Sequence, residues 1–240
     1  MIRYGTGPGF PPPTDTCHAR PVRVEPELGA RTEDGRDVPL LVWRFPEPLR
    51  AISSGPLGGG VGVRHWVINA TVPMSYHRDD PDVHLAELAD RLGLAGPGVG
   101  LLTGVDVSEV VDATEAGVRV WATVGLGAPI WAAAPDPPVP APARTVGTVN
   151  IVALLPVRLG DAALVNAVAT VTEAKAQALR ELGLPATGTA TDAVTVLCPP
   201  DGPADPYGGP RSRWGAPLAR AAWQVVRRGG AVSVVPWSER

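Results

Sequence analysis

Apolar residues recur along this chain in two rhythms, short runs that suit strands and longer stretches of period near 3.6 that suit helices. Val38 to Phe45 and Arg50 to Ser53 predict two short strands parted by a Pro-Glu-Pro turn. Ser53 to Gly60 (SSGPLGGG) must be a loop of unusual backbone angles. Alternation over Arg64 to Val72 predicts a third strand, with Trp66, Ile68 and Ala70 on one face and His65, Val67, Asn69 and Thr71 on the other. Asp80-Pro81 opens a helix that reaches Leu94, with Asp80 as its cap and Pro81 in the first turn. Gly98 to Val107 and Val118 to Leu126 read as buried strands, and the proline-rich stretch from Ala132 to Arg144 as a loop. Then follow a strand from Thr145 to Leu155, a long helix from Asp161 to Leu184, a strand from Ala193 to Cys198 and a helix from Trp214 to Arg228. Strands interleaved with helices predict an α/β fold, a single layered domain with a mixed β-sheet packed by helices, the alternative being an α+β sandwich. The expected division is a loosely structured lead-in over 1–37, one domain over 38–228 and a tail over 229–240.

Composition narrows the class. With 45% hydrophobic and 19% charged residues the 240-residue chain is an ordinary globular one. A net charge of -3 and no basic block point away from nucleic acid and from anionic membranes. No run approaches the roughly 18 apolar residues of a membrane span. The first residues lack an apolar signal core. Cys17 and Cys198 stand far apart without partners at metal-ligand spacing, so neither a disulfide framework nor a bound metal is expected, and the cytoplasm is the default location.

One basic residue stands out. Of the 21 lysines and arginines only Lys175 is a lysine, in a chain poor in Asn, Tyr and Phe and rich in Gly, Pro, Ala and Arg, as GC-rich coding would leave it. Arginine is a fixed, forked cation, whereas lysine is a compact ammonium whose proton responds to its surroundings. In the long helix, Asn166, Thr170, Glu173, Gln177 and Arg180 form a polar stripe, either a solvated face or a site wall. Lys175 projects from the opposite side, among Leu164, Val168, Val171, Leu179 and Leu182. There it must snorkel, pair with a carboxylate or lose its proton.

The segment after this helix, Ala186 to Val194 (ATGTATDAV), sets three hydroxyls and a carboxylate at the mouth of a strand. Together with TEAKAQAL (Thr172 to Leu179) and GTVNI (Gly147 to Ile151) it resembles the adenosylcobinamide amidohydrolase family. SSGPLGGG, the strand with Asn69, VPMSYHRDDPDVHL (Val72 to Leu85), VGLLTGVDV (Val99 to Val107) and ATVGLGAPIWA (Ala122 to Ala132) resemble further blocks of that family in the same order. Gly127-Ala128-Pro129 departs from it, since the resemblance would place Asn before the proline. The likeness spans roughly residues 50 to 228. It implies an enzyme of corrinoid salvage that hydrolyses the aminopropanol amide of adenosylcobinamide to adenosylcobyric acid. It implies no cofactor, the cobalt corrinoid being the substrate and a small molecule; the oligomeric state stays open. A non-catalytic corrinoid-binding module, or an amidohydrolase of the same fold acting on another amide, are the competing readings.

Amide hydrolysis requires an activated nucleophile, a partner for the oxyanion and a proton for the leaving amine. No G-x-S-x-G elbow or H-E-x-x-H pair occurs, Cys198 suits a buried strand end, and His84 reads as an exposed helix residue. A set of carboxylate, lysine and hydroxyl groups remains. Glu173 or Asp192 is the expected general base for water, with Lys175 as charge partner or proton donor. Thr148 or Thr189, activated by Lys175, is the alternative nucleophile. Asn69 and Asn150 supply amide groups to substrate or oxyanion, or else close backbone bonds at strand ends. Ser53, Ser54, Gly59 and Gly60 are expected to let backbone approach a flat macrocycle, with Trp131 and Tyr76 as possible covers or anchors.

Overall fold

The computed structural model describes residues 24–33, 35–135, 147–232 and 235–239. Among them, β1 (Glu27–Glu33), β2 (Arg36–Ser53), β3 (Gly60–Thr71), β4 (Val99–Thr103), β5 (Val111–Glu115), β6 (Val118–Val124), β7 (Val149–Leu154) and β8 (Ala193–Cys198) form one mixed sheet. The helices α1 (Pro81–Arg91), α2 (Asp161–Glu181) and α3 (Gly215–Gly230) pack around it. The α/β fold expected from the sequence is the fold observed.

The two strands expected beside Pro46-Glu47-Pro48 are one long strand, β2. Its register against β3 shifts between Arg44 and Leu49, where prolines without an N–H interrupt the ladder. Before the break β2 pairs with β1 and β3; after it, Arg50–Ser53 pairs with β8 while β3 continues on the other side. The sheet order is β4-β3-β2-β8-β7-β6-β5, with β1 on β2, and only β3–β4 and β7–β8 are parallel. The sheet curls about β2 so that its two halves face each other. Asn69 of β3 donates to Thr123 of β6 at 3.0 Å, although β2, β8 and β7 lie between them in sheet order.

Hydrophobic burial holds this curl. Between the halves, Leu41, Trp43, Val67 and Leu101 meet Trp121, Val152 and Leu154, with Trp43 and Trp121 edge to face at 5.9 Å between ring centroids. Outside one half, α2 and α3 bury Leu164, Val171, Leu179, Leu218 and Val225 against β5–β8. Outside the other, α1 buries Leu85 and Leu88 against Leu40, Trp66 and Ile68.

Several boundaries differ from expectation. Residues 27–33, assigned to the loose lead-in, form β1; residues 1–23, with Cys17, lie outside the described residues. β1 is a polar edge strand with Leu28 exposed, so little in its own sequence marks it. β5 was also unforeseen; it is a short edge strand turned onto β6 through Ala116 and Gly117, both at positive φ (48° and 83°), the two-residue turn that suits a hairpin. Asp80 precedes α1 but its side chain does not cap it; the carboxylate is held instead by Arg78 at 2.8 and 2.9 Å. In the expected tail, Trp237 N–H donates to the Gly104 carbonyl and Ser238 Oγ accepts from Met74 N–H, so residues 235–239 dock back onto the sheet end. Residues 136–146, most of the proline-rich loop and the first two residues of the strand expected from Thr145, lie outside the described residues.

Truncating the tryptophan at the seam should leave a void that neither half can close. We expect Trp121→Ala to cost about 3–5 kcal/mol, read as a lowered midpoint in chemical denaturation.

Candidate active site

Where the halves of the curled sheet part, a cavity of about 430 Å³ opens. Six segments reach it: Ser54 and Pro56 after β2, Val72 and Tyr76 after β3, Pro81 at the start of α1, the end of β4 with Thr103 and Gly104, Thr148 and Asn150 at the start of β7, and Thr191 and Ala193 at the start of β8. The walls are mostly apolar, and the polar groups converge from strand ends, the usual makeup of a small-molecule site.

Its floor is an amide network. Asn150 Nδ2 donates to the Leu102 carbonyl at 2.9 Å and to Asn69 Oδ1 at 2.9 Å, and Asn69 Nδ2 donates to Thr123 Oγ1 at 3.0 Å. A carbonyl can only accept, which fixes the orientation of Asn150 and, through it, that of Asn69. With both amide hydrogens committed, Asn150 can offer a ligand only its Oδ1. Asn69 itself is buried behind this contact at 2% exposure, so it holds Asn150 and does not line the cavity.

The hydroxyl wall can be ordered in the same way. Thr191 Oγ1 lies 3.2 Å from the Gly147 carbonyl and 2.6 Å from Thr148 Oγ1. Thr191 therefore donates to the carbonyl and Thr148 donates to Thr191. Ser54 Oγ accepts from Val194 N–H at 3.0 Å and keeps its own hydrogen for a ligand.

One turn further along, Lys175 and Asp192 form an ion pair with side-chain exposures of 8% and 10%. The lysine expected on an apolar face is indeed buried there and meets the acid. Asp192 also accepts from Thr189 N–H (3.0 Å), from the Thr189 hydroxyl and from Val149 N–H (2.9 Å). The carboxylate thus joins α2, the 187–192 loop and β7. A Cβ placed on Gly188 would stand 2.5 Å from Asp192 Oδ2 and 2.6 Å from Lys175 Nζ, so the absence of a side chain there gives the ammonium its seat. Neither Lys175, Asp192 nor Thr189 lines the cavity; they adjoin it through Asp192, the residue after Thr191.

Other expected residues lie elsewhere. Glu173 is exposed on the far side of α2, lining a separate cleft with Gln177, Arg220 and Trp223, and does not join Lys175 and Asp192. The polar stripe is thus partly a groove wall against α3, with the Thr170 hydroxyl bonded to the Gly208 carbonyl. Ser53 is buried, bonded to Thr195 Oγ1 at 2.8 Å and to Gly55 N–H at 3.0 Å. Gly58 and Gly59 wrap the Arg64 guanidinium, which takes the Gly58 carbonyl at 2.8 and 3.1 Å; Gly59 and Gly60 do not reach the cavity. Cys198 is fully buried, and burial pushes its thiol up, away from a nucleophile's range. His84, expected to be exposed, is 4% exposed beneath Tyr76. Thr191 and Thr123 were missed, the first inside a loop already noticed, the second two residues from a tryptophan on a mostly apolar strand. Among the described residues no three His, Cys, Asp or Glu side chains gather closely enough to share a metal ion, and no helix is long and apolar enough to cross a membrane.

An amide floor, a hydroxyl wall and a buried ion pair behind them are drawn from the blocks whose order marked the sequence, and comparison with known proteins places the chain. It belongs to the adenosylcobinamide amidohydrolase family, a family of hydrolases acting on amide bonds, whose match covers residues 25–233. An adenosylcobinamide amidohydrolase of Methanosarcina mazei is 29% identical over 190 residues, 75% of this chain and 90% of that protein. One of Halobacterium salinarum is 38% identical over 189 residues, 74% of this chain and 78% of the other.

Removing one member of a buried pair strands the other charge. Lys175→Met should therefore cost about 3–5 kcal/mol in urea denaturation. Gly188→Ala, which only crowds the pair, should cost about 1–3 kcal/mol in the same experiment.

Proposed function

We propose that this chain hydrolyses the amide that joins the aminopropanol arm to the corrin ring of adenosylcobinamide, releasing adenosylcobyric acid for corrinoid salvage. The observation that carries the reading is the family match over 25–233, whose blocks converge on one polar-floored cavity. At about 430 Å³ the cavity suits an amide-bearing arm, not a whole corrinoid. The macrocycle then rests outside the cavity, and Ile130, bridged to Gly188, and Trp131 beside it offer exposed apolar surface for it.

Inside, the groups have complementary tasks. Asn150 Oδ1 accepts the substrate amide N–H and fixes which carbonyl enters. The Ser54 hydroxyl donates to that carbonyl oxygen as it gains charge, the preorganised contact that lowers such barriers most. Thr148 and Thr191 pass their hydrogens along to a backbone carbonyl, which cannot keep a proton, so they orient the arm and water is the attacking group. Asp192 already accepts from four donors and is a poor base for that water. With Lys175 it acts as a positioning residue, holding the loop that carries Thr191.

Incubating the purified chain with adenosylcobinamide should yield adenosylcobyric acid and aminopropanol in equal amounts, detected by mass spectrometry. Saturable binding without product would leave a corrinoid-binding module instead. Ser54→Ala and Asn150→Ala should each lower kcat by about 10²-fold. Glu173→Gln, on the opposite side of α2, should run at the wild-type rate.

A further inference from the structure

The cavity wall opposite the hydroxyls holds a second set of groups. Tyr76 lines the cavity, and its hydroxyl lies 3.1 Å from His84 Nδ1, the two rings stacked with centroids 5.4 Å apart. His84 Nε2 lies 3.3 Å from Glu33 Oε1. Both oxygens of Glu33 are gripped by Arg31, at 2.8 and 3.2 Å, and Arg31 is itself anchored on the Thr71 carbonyl at 2.7 Å. The four residues come from β1, the loop after β3 and the first turns of α1.

Resting on the hydrolase reading above, we propose that Tyr76, His84 and Glu33 form a proton relay whose cavity end, the Tyr76 hydroxyl, is the base and then the acid of amide cleavage.

The direction of each bond follows from charge and burial. Burial pushes the Glu33 carboxyl up, but the hydrogen bonds and charge of Arg31, with help from His84, outweigh it and hold it below its ordinary value. An ionised carboxylate can only accept, so His84 Nε2 carries a hydrogen toward it. Burial pushes His84 down more than Glu33 raises it, so the imidazole rests neutral and its Nδ1 is bare. Tyr76, pushed up by burial, rests protonated and donates to that nitrogen.

Such a chain moves one proton out and back, the logic of a carboxylate–histidine–hydroxyl triad. Water gives a proton to the Tyr76 oxygen as its own oxygen bonds to the amide carbon, while the tyrosine passes its original proton to His84 Nδ1. The imidazolium so formed is stabilised by Glu33. When the C–N bond breaks, His84 returns the proton through Tyr76 to the departing nitrogen. The products are a carboxylic acid and a free amine, with nothing oxidised or reduced. Tyr76 is the catalytic residue; His84 and Glu33 act through it.

The competing role for the same contacts is to pin the loop after β3 onto α1. Turnover and binding separate the two, measured on the full chain with adenosylcobinamide. Tyr76→Phe should lower kcat by about 10²-fold or more, with KM and the optical titration of corrinoid binding unchanged and thermal unfolding within a few degrees of wild type. His84→Gln should lower kcat similarly in the wild-type background but add no further loss to Tyr76→Phe, because residues that act as a unit are not additive. Wild-type turnover in Tyr76→Phe, or additive losses in the double variant, overturns the relay alone. Loss of corrinoid binding in Tyr76→Phe also overturns it, making the hydroxyl a binding contact. A wild-type chain that binds adenosylcobinamide and forms no product overturns the functional reading, and the relay with it.

Discussion

Asp192 is the point at which the site is tied to the fold. Its two oxygens receive a cation from α2, an amide and a hydroxyl from the loop, and an amide from β7. A carboxylate can be kept out of water only when its lone pairs are filled, and here they are. Because the loop carries Thr191 and the strand carries Thr148 and Asn150, the same acid sets the distance between the hydroxyl wall and the amide floor. The pair is a specification device more than a source of stability, since charge desolvation offsets much of the attraction.

The second organising feature is mechanical. β2 belongs to both halves of the sheet, and its interruption at the two prolines lets the halves turn toward each other. Apolar packing across the seam is tight near Trp43 and Trp121 and ends where Asn69, Thr123 and Asn150 replace aliphatic side chains. The cavity begins at that change of chemistry. Its walls are therefore strand ends fixed by the core, so the polar groups are oriented before any ligand arrives. The loop after β3 closes the far side, tied through Tyr76 and His84 to a carboxylate on an edge strand.

Much of this was legible in the sequence. Alternation located β3, short apolar runs located β6 and β8, helical stretches located all three helices, and the composition bias exposed Lys175, which does meet Asp192 inside the protein. The errors have physical causes. β1 and β5 are polar edge strands defined by what they pair with, which no local pattern records. Glu173 lies two residues from Lys175, about 200° around the helix, so proximity in the chain became separation in space. Asn69, Thr123 and Asn150 come together only because the sheet curls, and periodicity carries no information on curl. His84 looks like a surface residue of an amphipathic helix until the loop bearing Tyr76 is laid over it.

The seat of Lys175 has a consequence for how this chain can drift. One base change converts a lysine codon into an arginine codon, and every other of the 21 lysine and arginine positions here reads Arg. A guanidinium is flat and wider than an ammonium, and the room beside Gly188 is already taken up to contact distance. A drift from lysine to arginine thus meets a stop set by the dimensions of a single side-chain terminus.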